Sequence, residues 1–497
     1  MKYLLIGIDG CQAETIQRYP MPYTQGLLAQ GVSLKLHEDL LSRGWVEICT
    51  GQHAIDSDGY YERARLNGTS ASTTKYNLLE QISKDPDIPT LWSRLNCLGI
   101  RVGVMNVPTT NPAPAVDGFF VSGGGGGSQL RDEICPSQCY PADVKKTLDD
   151  LEYIVDERVP SLLFEKKLYD ETAFFSRLKL MTDRRVDAFI KLGEQYQIDF
   201  GFIVFRSVVV VENICIGEYK KFLSGQGDFN PRLIEAMQDF YAHFDGALKR
   251  LIESVGTERV GLVSDHGTVV AHTRVNLNAI LRSLGFQYPP VGKNGLMALA
   301  QRYKHLVPYA LRQKLKGNQA VAREYAAISN FDSKRSEAFC PGRGSSFLGI
   351  YVNDWVRFGG PVDSAGITAV AQRIASRLNA EREFLQLGLK AVITQRPAKS
   401  KYAKYLPDIV VQAPDGVTCN TQQEVFAAPG VDLTQPMFLK NVVGDFATGT
   451  KGPEPLACFV NHKLLSPDSL LRQDSAEVFR IVLAEFGEVL GTNPKRV

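Results

Sequence analysis

The sequence predicts an α/β fold, a parallel sheet with helices packed on both faces. Short apolar, β-branched runs alternate along the chain with long segments of helical periodicity, the pattern of strands buried on both faces and joined by helical crossovers. At 497 residues the chain also exceeds a single small core, so one large domain carrying insertions, or two domains, is expected.

The first element is the run YLLIGI, Tyr3–Ile8, which has one Lys before it and ends in Asp9 and Gly10. It is too short for the apolar region of a signal sequence or for a membrane span, and reads as a buried first strand. A helical pattern over 90–98 leads to a second strand at 101–106. A third strand is expected at Phe200–Phe205, and a fourth at 259–264 after a helical pattern over 232–254. Two stretches break the rhythm. The five glycines 123–127 are followed by neither a Lys-Ser/Thr ending nor a helix start, so they read as a mobile surface loop rather than a phosphate cradle. The stretch 291–335 is basic and helical, with Arg302, Lys304, Arg312, Lys314 and Lys316, and reads as an inserted helical cap between core segments 1–290 and 336–497. Its charges fit a solvated face.

Hydrophobic residues make up 44% and charged residues 22%, with 56 basic against 54 acidic, which excludes an electrostatic nucleic-acid binder. An anionic ligand must then be held locally. Nine cysteines, odd in number and scattered from Cys11 to Cys458, form neither a disulfide framework nor a paired zinc motif. A cytoplasmic protein without a membrane segment is expected; the sequence leaves its oligomeric state open.

Asp9 follows the first strand, and Asp265 and His266 follow the fourth in the string VSDHG. Side chains at the C-terminal ends of parallel strands face the crevice where α/β proteins bind ligands. Two carboxylates and an imidazole suit one divalent metal ion, zinc or manganese first, with magnesium or calcium also compatible with the carboxylates.

Beyond these residues, IGIDG, the segment WVEICTG (45–51), IPTLWSRLNCLGIRVGVMNVPTTNP (88–112), VDGFFVSG, VSDHG, NLNAILRSLGF, SSFLGIYVND and LPDIVV stand in one order along the chain. In that order they resemble the type I phosphodiesterase/nucleotide pyrophosphatase family of the alkaline phosphatase superfamily. The resemblance implies a three-layer sandwich around a mostly parallel sheet. It also implies two metal ions flanking the transferred phosphoryl group, and a Thr or Ser that attacks it to give a covalent intermediate. By that resemblance Asp9, Asp265 and His266 hold one ion. The second ion's ligands fall on Val209, Asn213 and Lys451, so that ligand set is missing. Glu212, Glu218 and His272 are the neighbours available as replacements. Lys451 would supply part of the lost positive charge, unless it is a solvated loop residue. The nucleophile falls near Ser42, which requires a one-residue shift, in preference to Thr50, which resembles a structural Thr-Gly turn; Asp58-Gly59 is the nearest match to the family's following His-Gly. Arg43 beside Ser42, and Asn106 of the Asn-Val-Pro string, are the expected substrate-binding residues.

The resulting expectation is a one-metal hydrolase or transferase acting on a small phosphate or sulfate ester, a phosphodiester or a nucleotide, with Ser42 attacking and Lys451 replacing the second ion. The competing expectation is a pseudoenzyme that keeps the fold and binds a phosphorylated ligand or a protein partner.

Overall fold

The structure, a computed structural model, describes residues 1–61, 63–67, 70–73, 76–123, 134–155, 170–225, 228–289, 331–341, 343–345, 348–397, 399–420, 438–440, 448–462 and 473–487. The chain divides into two compact units, one made of 1–61, 75–270 and 443–497 and the other of 62–74 and 271–442. These boundaries differ from the division expected at 290 and 336. The cap expected at 291–335 lies outside the described residues as far as residue 330, and so does most of the glycine run 123–127.

In the first unit the strands are β1 (Tyr3–Ile8), β2 (Val32–Ser33), β3 (Val102–Val107), β4 (Gly118–Ser122), β5 (Cys139–Tyr140), β6 (Phe200–Phe205), β7 (Val260–Val263), β8 (Gly267–Val270), β9 (Gly449–Gly452) and β10 (Ala457–Val460). Its helices include α1 (Gly44–Thr50), α2 (Leu91–Cys97), α3 (Glu171–Tyr196), α4 (Ser207–Ser224), α5 (Pro231–Val255) and α6 (Ala476–Glu485). The sheet runs in the order β2-β10-β7-β1-β6-β3-β4-β5. Its inner five strands, β7 to β4, are parallel, and antiparallel strands close both edges.

Every residue of β1 is buried, and the pleat sends alternate side chains to opposite faces. Leu4, Ile6 and Ile8 pack with residues of α3, α4 and α5, whereas Tyr3 and Leu5 pack with residues of α1, α2 and α6. One sheet therefore separates two cores, and the layers stack helix, sheet, helix. Among the described residues no helix is long and apolar enough to cross a membrane.

The second unit holds a four-stranded antiparallel sheet in the order Ala338–Phe339, Gly349–Val352, Ile409–Gln412, Lys390–Ile393. The helix Ile367–Leu378 shares a core with it through Ile374, Ile350 and Ile409. A further sheet joins 273–275, 343–345, 417–420 and 438–440.

Candidate metal and anion site

β1 is paired in parallel with β6 on one side and β7 on the other. Their C-terminal ends therefore share one edge, where they release Asp9, Arg206 and the pair Asp265–His266. β8 continues from His266 and pairs antiparallel with β9, setting Thr268 opposite Lys451. This register delivers a lysine from the C-terminal part of the chain beside the histidine. One pocket is lined by Asp9, Asp265, His266 and Lys451 together with Arg43, Trp45, Tyr61, Thr109, Arg206, Val209 and Asn213, all within the first unit.

Ligand atoms of Asp9, Asp265 and His266 lie within 4.8 Å of one another, and all three residues are buried. His266 Nε2 is 3.8 Å from Asp9 Oδ1 and 3.5 Å from Asp265 Oδ2. Two ligands of one tetrahedral ion with bonds of about 2.1 Å stand roughly 3.4 Å apart, so these separations suit a shared ion. His266 Nδ1 is 2.6 Å from the carbonyl oxygen of Gly267. A carbonyl only accepts, so Nδ1 carries the proton and Nε2 keeps its lone pair toward the carboxylates. Burial lowers the His266 pKa, which favours that neutral ring; burial and the charge of Asp265 raise the pKa of Asp9.

Donors hold both carboxylates: at Asp9 they meet the oxygen not paired with His266, and at Asp265 the oxygen that also faces His266. Trp45 Nε1 and Arg206 Nε donate to Asp9 Oδ2 at 3.1 and 3.3 Å, and the Tyr61 hydroxyl donates to Asp265 Oδ2 at 3.0 Å. Trp45 reaches Asp9 because β1 has a glycine beneath the indole: a Cβ at Gly7 would lie 2.6 Å from the Trp45 ring. Gly44, the first residue of α1, lies against the backbone of Asp265, where a Cβ would be 2.1 Å from the carbonyl oxygen. The set fits a divalent ion in its donor chemistry, its spacing and its oriented imidazole.

The pocket is also lined by cations, Arg43, Arg206 and Lys451. Lys451 Nζ lies 3.8 Å from the centroid of the Tyr61 ring, and burial lowers its pKa to about 8. Arg43 donates to the carbonyls of Tyr60 and Tyr61 at 2.9 and 3.2 Å. Val209 and Asn213, one helical turn apart on α4, also line the pocket.

The other expected residues are placed elsewhere. Ser42 is fully buried, bridges to Tyr60, and accepts a hydrogen bond from the Ala54 N–H at 3.0 Å; it is not among the lining residues. Thr50 donates to the Val46 carbonyl at 2.7 Å within the helix, and Gly51 ends the helix at φ +66°. Asn106 is turned into the sheet, where Nδ2 donates to the Val204 carbonyl at 2.8 Å, and its neighbours Pro108 and Thr109 line the pocket instead. Glu212 accepts from the Tyr241 hydroxyl at 2.6 Å in the core, and Glu218 pairs with Lys221. In the second unit, His272 is bonded to Thr273 and to the Asp415 carbonyl. Sequence reasoning missed Trp45, Tyr61, Thr109 and Arg206. Arg206 had a signal, since it directly follows a strand that flanks β1, whereas Tyr61 belongs to no motif.

The class defined by this sandwich and this strand-end Asp–Asp–His cluster is the alkaline phosphatase superfamily. Within it the chain belongs to the type I phosphodiesterase/nucleotide pyrophosphatase family, whose model matches residues 3–424. No curated protein matches the sequence. Among solved structures, phosphonoacetate hydrolase from Sinorhizobium meliloti 1021 in complex with phosphonoacetate is similar at 13% identity, covering 98% of this chain and 96% of that one, with a TM-score of 0.53. The same hydrolase with phosphonoformate gives 13% identity, the same two coverages and a TM-score of 0.51. Murine ectonucleotide pyrophosphatase/phosphodiesterase 5, in an inactive form in complex with AMP, gives 13% identity, coverages of 99% and 97%, and a TM-score of 0.47. The likeness to the bacterial hydrolase is one of fold.

Proposed function

We propose that the protein is a one-metal hydrolase or transferase of phosphate, phosphonate or sulfate esters. Asp9, Asp265 and His266 would hold the ion, zinc or manganese by their donor types, and the ion would supply Lewis acidity at the reacting group. The observation that carries this reading is the convergence of Lys451, Val209 and Asn213 on the Asp9–Asp265–His266 pocket. By the family resemblance these three stand where a second ion's ligands would be, and a fixed ammonium offsets part of the charge such an ion supplies. Val209 fits the same account, because a carboxylate there without its metal would be a buried unpaired charge.

In this reading Lys451 and Arg206 oppose negative charge on the bound group. Trp45 and Tyr61 orient the ligand carboxylates, and Arg43, fixed by two carbonyls, closes the cationic wall. The substrate is small and anionic. Nine free cysteines accord with a cytoplasmic setting. The test is turnover of aryl phosphate, phosphonate and sulfate esters by metal-loaded protein, with Asp265→Ala as control. Activity that survives in Asp265→Ala would place the chemistry elsewhere.

The burial of Ser42 favours a second reading, a pseudoenzyme that binds a phosphorylated ligand without turning it over. It predicts ligand binding with no product from any of these esters.

A further inference from the structure

Two features of the pocket have no role in holding a metal ion. Thr109 lines it, is 6% exposed, and has a hydroxyl without a hydrogen-bond partner among the described residues. Its backbone sits at φ +68°, a left-handed conformation that a β-branched residue adopts only under strain. A buried orphan hydroxyl on a strained backbone is costly twice over, and strain of this kind gathers where a ligand is clamped. The second feature is the start of α4. This helix has 18 residues, and Arg206 at its N-cap makes no side-chain cap hydrogen bond. The leading N–H groups of a helix lack partners within the helix and carry the positive end of its dipole. Val209 in that first turn and Arg206 before it both line the pocket.

We propose that Thr109 and the uncapped start of α4 form, with Arg206 and Lys451, an oxyanion subsite that selects ligands ending in a tetrahedral dianion, a phosphate monoester or a phosphonate, over diesters. Three cations, Arg43, Arg206 and Lys451, line the pocket with two carboxylates, Asp9 and Asp265. The lining charge is therefore positive before any ion is counted. A terminal phosphoryl group presents three non-bridging oxygens and two charges to this wall; a diester presents two oxygens and one charge. The additional oxygen is the acceptor that the Thr109 hydroxyl lacks among the described residues.

This proposal rests on the one-metal reading for its account of turnover, but the subsite itself is read from binding. The full chain, with zinc or manganese supplied, is titrated calorimetrically with inorganic phosphate and with sulfate, as wild type and as Thr109→Val, Thr109→Ser and Thr109→Gly. Melting temperatures are recorded alongside, and turnover of 4-nitrophenyl phosphate is compared with that of bis(4-nitrophenyl) phosphate. Thr109→Val should weaken phosphate about tenfold, the scale of a hydrogen bond to a charged group, with the melting temperature unchanged or raised, because the methyl replaces an unpartnered hydroxyl. Thr109→Ser should bind as the wild type does. Thr109→Gly, which suits the left-handed backbone, should lose phosphate as Thr109→Val does, and replaces it if the valine variant fails to fold. Wild type that binds neither anion, valine and glycine variants that bind phosphate unchanged, or faster turnover of the diester would each overturn the subsite. If neither ester turns over but both variants lose phosphate, the subsite stands and the catalytic reading falls. If the monoester turns over and the variants bind phosphate normally, the subsite falls and the catalytic reading stands.

Discussion

Tyr61 donates its hydroxyl proton to Asp265 Oδ2 at 3.0 Å. The partner of a ligand carboxylate fixes which oxygen faces the ion, and removing such a partner typically costs about ten- to a hundredfold in metal affinity. Tyr61→Phe should therefore weaken metal binding by about tenfold while the fold is kept, as read by competition with a chelator and by melting. Unchanged affinity would mean that Asp265 is oriented by something else or is not a ligand.

Metal content should be about one ion per chain, since a single Asp–Asp–His set is brought together among the described residues. Elemental analysis after dialysis checks this, and Asp265→Ala and His266→Ala should each empty the site. Two retained ions would mean that a second ligand set exists.

Ser42→Ala should leave turnover of aryl esters intact. Its measurable effect should be on stability, on the order of 1 kcal/mol, from loss of the acceptor for the buried Ala54 N–H. Abolished turnover with an unchanged melting temperature would restore Ser42 to the chemistry.

Lys451→Ala should lower turnover by roughly a hundredfold with metal content unchanged, comparable to removing a preorganised donor from a developing oxyanion. The combined change Val209→Asp, Asn213→His and Lys451→His should add a second bound ion, because all three positions face one pocket. A folded triple variant that binds one ion would show that these positions do not form a second site.

Stability should depend on pH through Glu38, a buried carboxyl whose pKa burial raises to about 7. The folded state then binds more protons than the unfolded state between the ordinary carboxyl pKa, about 4.3, and about 7, so stability falls as pH rises through that window. Glu38→Gln keeps the acceptor for the Ser475 N–H and removes the charge. Its melting temperature should exceed wild type at pH 8 and match it at pH 4. Equal melting at both pH values would mean that Glu38 ionises freely.

The strands were legible because each is an apolar run buried on both faces. The expected 101–106 and 259–264 became Val102–Val107 and Val260–Val263. The positions of Asp9, Asp265 and His266 were equally legible, since each follows its strand directly in sequence. The surroundings of Ser42 were not legible, because it sits at a bridge to Tyr60, which no local pattern announces. Tyr61 and Thr109 escaped for the same reason: one contributes a hydrogen bond across the fold and the other a backbone conformation. The second unit was hidden because it is assembled from 62–74 and 271–442, which no composition shift marks.

Gly44 carries a mechanical consequence. Its backbone lies so close to that of Asp265 that no side chain fits between them, although the two are more than two hundred residues apart in sequence. The turn that enters α1 and the turn that bears Asp265 and His266 are therefore locked together as one piece. A hinge opening between them would have to break that contact, so these two turns should keep one arrangement when a ligand binds. Affinity gained here should come from fit rather than from closure, and Gly44→Ala should damage both turns at once.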